Sequence, residues 1–377
     1  MNFPLLTGDV MTKFKSLYIY YISGTGNARM SSEWIADEAR HKGISAVVQK
    51  IDRLENIEFP EPGKNTLIGF AFPTHGFNAA PIMLRFIASF PRGLCKEVFL
   101  LNTRAGMKMS KLFLPGISGV ALLLPAFMLM IKGYRCSGFR PVDLPSNWIP
   151  LHPGMKEKVI RSIFERCEKI VRSFAGRILS GEHIYRGLRS LPLDILVSPV
   201  ALGYYVAGRF FLSKTFLATG KCNNCGVCIR DCPTGSIRFI NNRPYWSLTC
   251  ESCMRCLNNC PQKAIETPHG AALVFWFIFS FINSQAIMLL IGFLNPDTDT
   301  LWWKLTLKIV SITCMILVTS LLYSIMHYAL YFKPVRFLVK YTSLTALPFW
   351  RRYTFLLGKK YYTSQKHETT RIQSEKE

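Results

Sequence analysis

Acidic side chains are scarce in this chain. Asp and Glu number 23 among 377 residues against 46 Lys and Arg, for a net charge of +23. That balance points to an anionic partner, either nucleic acid or a membrane surface. Charge of either sign is sparse as well, at 18% of residues against 49% hydrophobic. Such a composition excludes a disordered polyelectrolyte and argues against a purely soluble enzyme. No Walker loop and no nicotinamide fingerprint appear, so direct NAD(P)H oxidation is not expected. The N-terminus shows no basic region followed by an apolar core and a small-residue cleavage site, so the folded domains are expected to start and stay in the cytoplasm. What the chain does have is length for two or three domains, and 12 cysteines spaced unlike a small secreted disulfide framework.

The first 180 residues alternate strand-like and helix-like runs. Residues 16–22, 44–51, 66–72 and 96–102 are strand candidates, and helices are expected over 27–42, 80–89 and 155–179. In the last of these, Ile160, Ile163, Phe164, Cys167, Ile170, Val171 and Phe174 recur at helical spacing. The order predicts an α/β domain with a doubly wound parallel sheet over residues 14–181. Residues 112–131 carry no charge, but Pro115 and Pro125 interrupt them and basic residues flank both sides. They are read as a buried helix of the sheet domain rather than a membrane span. Residues 182–217 form a connector, in which 191–217 is apolar but interrupted by Asp194, Arg209 and Lys214. Either an interfacial segment or a packed connector suits that pattern.

Two apolar runs near the C-terminus are long enough to span a bilayer, residues 271–294 and 309–332. They predict a transmembrane hairpin over 271–332, with Trp302 and Trp303 as interfacial anchors and Lys304 and Lys308 snorkelling. The connecting turn carries Asp297 and Asp299, whereas both flanks are basic. The positive-inside rule then puts the preceding region and the basic tail, 333–377, in the cytoplasm. His327, inside the second run, is either a proton or quinone contact or a packing residue.

Two motifs carry chemistry. Between the first strand and the first helix stands Ser23-Gly24-Thr25-Gly26-Asn27-Ala28. Backbone N–H groups, hydroxyls and a helix N-terminus make a cradle there for a phosphate dianion. Within residues 218–268, Cys222-x2-Cys225-x2-Cys228-x3-Cys232-Pro233 recurs as Cys250-x2-Cys253-x2-Cys256-x3-Cys260-Pro261. Structural zinc also uses CxxC pairs, but it has no use for a doubled three-plus-one pattern. Cys95, Cys136, Cys167 and Cys314 stand alone and are expected to be inert buried thiols.

The doubled cysteine motif resembles that of bacterial two-cluster ferredoxins. The resemblance implies a small α+β domain with two 4Fe-4S clusters in crossed ligation. Cys222, Cys225, Cys228 and Cys260 would hold one, and Cys250, Cys253, Cys256 and Cys232 the other. The glycine loop resembles the phosphate loop of flavodoxins, which implies FMN, although Ala28 replaces the hydroxyl residue usual there. That likeness also places the isoalloxazine against Thr74, His75, Gly76 and Phe77 after the third strand, and against Asn102, Thr103, Arg104 and Gly106 after the fourth. His75 or Phe77 would pack on the ring, and Arg104 would lie near its pyrimidine edge.

Together with Leu144-Pro145-Ser146-Asn147-Trp148, these features make residues 15–265 look like the flavodoxin–ferredoxin fusion proteins of the EFR1 family. The family implies electron transfer between iron–sulfur clusters and flavin. The expectation is therefore a membrane-anchored iron–sulfur flavoprotein, an oxidoreductase of the prokaryotic cytoplasmic membrane with a quinone or protein acceptor. The alternative is a non-catalytic ferredoxin-type carrier in a larger membrane complex, its flavodoxin-like domain a docking scaffold. A redox protein and the lipid membrane are the expected partners. Nucleic acid is not, because the basic residues concentrate near the spans and in the tail.

Overall fold

The structure is a computed structural model and describes residues 13–109, 111–294 and 300–352. These form two compact units, residues 13–146 with 156–201, and residues 147–155 with 202–352.

The strands of the first unit are β1 (Ser16–Tyr21), β2 (Ser45–Lys50), β3 (Thr66–His75), β4 (Asn78–Ala79), β5 (Glu97–Met109), β6 (Leu112–Leu114), β7 (Arg135–Pro145) and β8 (Ile184–Tyr185). Its helices are α1 (Asn27–His41), α2 (Pro81–Ser89), α3 (Leu123–Ile131), α4 (Glu157–Leu179) and α5 (Leu191–Leu196). The sheet runs β2-β1-β3-β5-β7-β8 with parallel neighbours, while β4 and β6 fold back antiparallel on β3 and β5. Taking the five long parallel strands in turn, this is the 2-1-3-4-5 order of the flavodoxin-like doubly wound fold. A parallel sheet must be covered on both faces, and β3 accordingly buries Leu67, Ile68, Phe70, Ala71 and Phe72 completely. On one face Phe174 of α4 meets Phe99 edge-on at 5.7 Å, and Phe164 meets Trp34 of α1 at 6.4 Å. On the other face Tyr20 and Phe70 pack against Phe86 and Phe90 of the α2 region.

Three features of this unit depart from the sequence expectation. The fifth long strand, β7, was not expected, because Arg135, Gly138, Arg140, Pro141 and Asp143 break its apolar run. Pairing with β5 from Arg135 to Pro145 overrides that local pattern. Strands β3 and β5 also run three and seven residues past their expected ends. Residues 112–131 are not one buried helix. They divide into β6, a 3-10 turn (Gly119–Ala121) and α3, whose Phe127, Met130 and Ile131 are 60–61% exposed. The connector is largely helical, through α5, α6 (Ser198–Gly203), a π-helical turn (Tyr204–Gly208) and α7 (Arg209–Ser213). Residues Arg186–Leu196 and Ser198–Ser213 together are long and apolar enough for a broken span, bent by 78°.

The second unit contains β9 (Leu217–Ala218), α8 (Val227–Arg230), β10 (Ile237–Ile240), β11 (Arg243–Trp246), α9 (Arg255–Asn259) and β12 (Ile265–Glu266). The sequence repeat is a structural repeat: strand, cysteine loop, one-turn helix, strand. Strand β9 pairs antiparallel with β12, and β10 with β11. Asn241 (φ 49°) and Asn242 (φ 56°) close the second pair as a two-residue turn, in the left-handed region Asn tolerates. Each one-turn helix starts after a left-handed residue, Gly226 (φ 71°) or Met254 (φ 62°).

Three helices complete this unit, α10 (His269–Leu294), α11 (Leu301–Ala329) and α12 (Lys333–Tyr341). The first two are each long and apolar enough to cross a membrane. The Ser311 hydroxyl on α11 donates to Asn283 Oδ1 on α10 at 3.1 Å, a polar tie of the kind that pairs helices in lipid. Helix α11 begins eight residues before the expected span, so Trp302, Trp303, Lys304 and Lys308 lie in its first turns. It also ends three residues before the expected limit at Phe332. Asp297, Asp299 and residues 353–377 of the tail lie outside the described residues. His327 is buried, and its Nε2 lies 3.1 Å from the Ile240 carbonyl of the cysteine module, a contact that suits a packing role.

Candidate functional site

The glycine loop leaves the carboxyl end of β1 and enters the 15-residue helix α1. Gly26 precedes the helix at φ 99°, ψ −12°, a left-handed conformation that a Cβ would strain. The Ser23 hydroxyl accepts the Gly26 amide at 3.0 Å, and Asn27 Nδ2 donates to the Pro145 carbonyl at 2.9 Å. The second bond ties the loop to the end of β7. All six residues from Ser23 to Ala28 are buried.

The expected flavin-contacting loops are extensions of strands. Thr74 and His75 belong to β3, which turns at Gly76 (φ 53°) and Phe77 (φ 64°) into β4. An aromatic residue at positive φ is strained, a feature that clusters at functional sites. Asn102, Thr103, Arg104 and Gly106 belong to β5. Asn102 Nδ2 donates to Thr74 Oγ1 at 2.8 Å and to Ser118 Oγ at 3.1 Å. A Cβ on Gly106 would lie 2.2 Å from the Asp143 carbonyl oxygen, so the sheet itself requires glycine there.

Arg104 is already committed. Its Nε donates to Asp143 Oδ1 at 2.6 Å and its Nη2 to Oδ2 at 3.3 Å. Asp143 Oδ1 also accepts the Gly116 amide at 2.9 Å. Both side chains are mostly buried, so breaking the pair strands a charge. An Asp143→Ala chain is expected to lose about 3 kcal/mol of stability, read as a lower melting temperature of the purified protein. Asp143, Ser118 and Asp194 were not expected at this site. Asp143 lies on the unexpected strand, and Asp194 accepts the Ser118 and Gly119 amides from a distant helix at 3.2 and 2.7 Å.

Burial lowers the His75 pKa to about 4. The folded chain therefore binds its proton less readily than the unfolded chain, where histidine titrates near 6.5. Stability should fall as pH drops from about 6.5 towards 4, with a His75 contribution of at most about 1.4 kcal/mol per pH unit. Thermal melts at pH 7 and pH 5 should show this loss, and His75→Gln should reduce it.

The sequence expects the eight motif cysteines to divide into two quartets. Cys222, Cys225, Cys228 and Cys260 line one hollow, together with Phe239, Pro244 and Ile265. Burial pushes the Cys228 thiol up to about 12, and neighbouring Cys222, Cys260 and Cys225 push it the same way. Burial raises Cys256 well above its ordinary value, followed by Cys250, Cys253 and Cys232, while the Trp246 indole N–H opposes them. Cys260 thus lies beside the first trio, while Cys232 is among the sulfurs that act on Cys256. Backbone amides also approach sulfur, Ser236 N at 3.3 Å from Cys232 and Ala264 N at 3.3 Å from Cys260. Among the described residues, no group of three or more His, Cys, Asp or Glu side chains is arranged to hold a metal ion. Thiolate donors are the ligand chemistry iron–sulfur clusters use. Cys95, Cys136 and Cys167 are buried outside these quartets, with thiols raised to about 12 by burial. Cys314 lies half-buried on α11.

Solved structures that resemble the chain weakly include two at 14% identity and a TM-score of 0.28 each. One is a flavodoxin from the domain Archaea, matched over 43% of this chain and 98% of that protein. The other is the NAD(P)H:quinone oxidoreductase from Methanothermobacter marburgensis, matched over 44% and 98%. No protein-family model and no curated protein matches the sequence. The assignment of the first unit to the flavodoxin-like fold rests on its strand order and connections.

Proposed function

We propose that this chain is a membrane-anchored electron-transfer protein that binds two 4Fe-4S clusters and FMN, in the manner of the flavodoxin–ferredoxin fusion proteins. The observation that supports this reading is Cys260, the last cysteine of the second motif, lining one hollow with Cys222, Cys225 and Cys228 of the first. Cys222, Cys225, Cys228 and Cys260 would hold one cluster, and Cys250, Cys253, Cys256 and Cys232 the other. The amides of Ser23–Ala28 and the N-terminus of α1 would receive the FMN phosphate. When bound, these groups supply one-electron and two-electron chemistry on one chain. Helices α10 and α11 anchor it, with a quinone or a redox protein as acceptor. Basic residues beside anionic lipid add about 1 kcal/mol each to that attachment.

Dithionite reduction of the anaerobically purified protein tests the reading. Two interacting paramagnetic clusters in the EPR spectrum would support it, whereas an EPR-silent protein carrying zinc would overturn it. A second reading, in which the α/β unit is a docking scaffold without flavin, is favoured by burial of the glycine loop and by the Ser23–Gly26 bond. FMN titration followed by flavin fluorescence separates the two: saturable quenching supports the flavoprotein, and unchanged fluorescence the scaffold.

A further inference from the structure

The cysteine repeat is symmetric in ligands but not in their surroundings. Trp246 stands four residues before Cys250, and the residue four before Cys222 is Ala218, which has no polar side-chain atom. The Trp246 indole is completely buried, and its Nε1–H donates to Cys256 Sγ at 3.4 Å. Its backbone is held at both polar atoms. The carbonyl accepts Lys214 Nζ at 2.5 Å, and the amide donates to the Tyr323 hydroxyl at 3.4 Å. Tyr323 belongs to α11 and itself donates to the Phe216 carbonyl at 3.0 Å. The ring is fixed edge-on against Phe216, with centroids 6.1 Å apart.

We infer that Trp246 is a positioning residue that sets the two clusters apart in reduction potential, an inference that rests on the cluster reading above. Reduction adds one electron to the cluster and its thiolate ligands, with no bond broken. A hydrogen bond to a ligand sulfur stabilises the more electron-rich state, so the Trp246–Cys256 bond raises the potential of the cluster on Cys250, Cys253, Cys256 and Cys232. Burial of that quartet acts in the opposite direction, because a low-dielectric site disfavours added negative charge. The cluster on Cys222, Cys225, Cys228 and Cys260 has only alanine at the corresponding position. Electrons therefore settle on the Trp246 side of the module more readily than burial alone would allow.

An EPR-monitored redox titration of wild-type and Trp246→Phe proteins in detergent tests this. The variant should show a threefold to tenfold smaller reduction equilibrium constant at one cluster, at most 59 mV, with the other cluster unmoved. Full iron with both potentials unchanged, or with both shifted equally, would overturn the inference while leaving the cluster reading intact. Iron-free wild-type protein would overturn the cluster reading itself. Pulsed EPR on wild-type protein labelled with indole 15N needs no variant. It should reveal a nitrogen coupling at one reduced cluster, and no coupling at either would reject the inference.

Discussion

A Cys260→Ala chain is expected to lose the cluster assigned to Cys222, Cys225 and Cys228 and to keep the other. Iron should fall from about eight to about four per chain, as for loss of one cubane from two. The physical reason is the placement of Cys260 beside the first trio, although it is the last cysteine of the second motif. Cys225→Ala should therefore leave the same residual EPR spectrum as Cys260→Ala. Cys232→Ala and Cys253→Ala should both leave the complementary one. Equivalence of Cys260→Ala with Cys253→Ala would mean that each motif closes its own cluster, and crossed ligation would be wrong. The reduced, uncoupled spectrum of each variant makes the test independent of any acceptor.

A second large effect is expected in the glycine loop. Thr25→Asp introduces a carboxylate where the FMN phosphate would lie, in a loop that is buried throughout. Two unit charges about 4 Å apart repel by about 4 kcal/mol at an effective dielectric near 20. Even half of that weakens FMN binding roughly thirtyfold. Thr25→Asn, of similar size and uncharged, should retain FMN far better. Equal binding to the two variants, measured by flavin fluorescence with cluster content as control, would place the phosphate elsewhere.

The sheet was legible where strands are buried on both faces, because SLYIYY in β1 and LIGFAF in β3 can only be read as interior. Strand β7 was not legible, since its Arg140 and Asp143 are tolerated through burial and pairing that emerge only in three dimensions. Asp143 neutralises Arg104, and no local pattern in either segment announces that partnership. Residues 112–131 misled for a related reason: an uncharged run does not distinguish a buried helix from a strand and a short helix with an exposed apolar face. The two cysteine motifs were legible because ligand spacing is a local property and the repeat is doubled. Their asymmetry was not, since Trp246 acquires its role only through contact with Cys256, Lys214 and Tyr323. The sequence left His327 open between a proton or quinone contact and a packing residue, and its contact with the Ile240 carbonyl joins residues too far apart in the chain for any local pattern to show.

Iron, acid-labile sulfide and flavin per chain, determined on protein purified anaerobically in detergent, test the central claim most directly. The account predicts about eight irons, about eight sulfides and one FMN. Eight irons without flavin, even after FMN is offered, would reduce the first unit to a scaffold and the protein to a tethered ferredoxin-type carrier. Zinc in place of iron, or no metal with all eight motif cysteines free, would contradict the account outright.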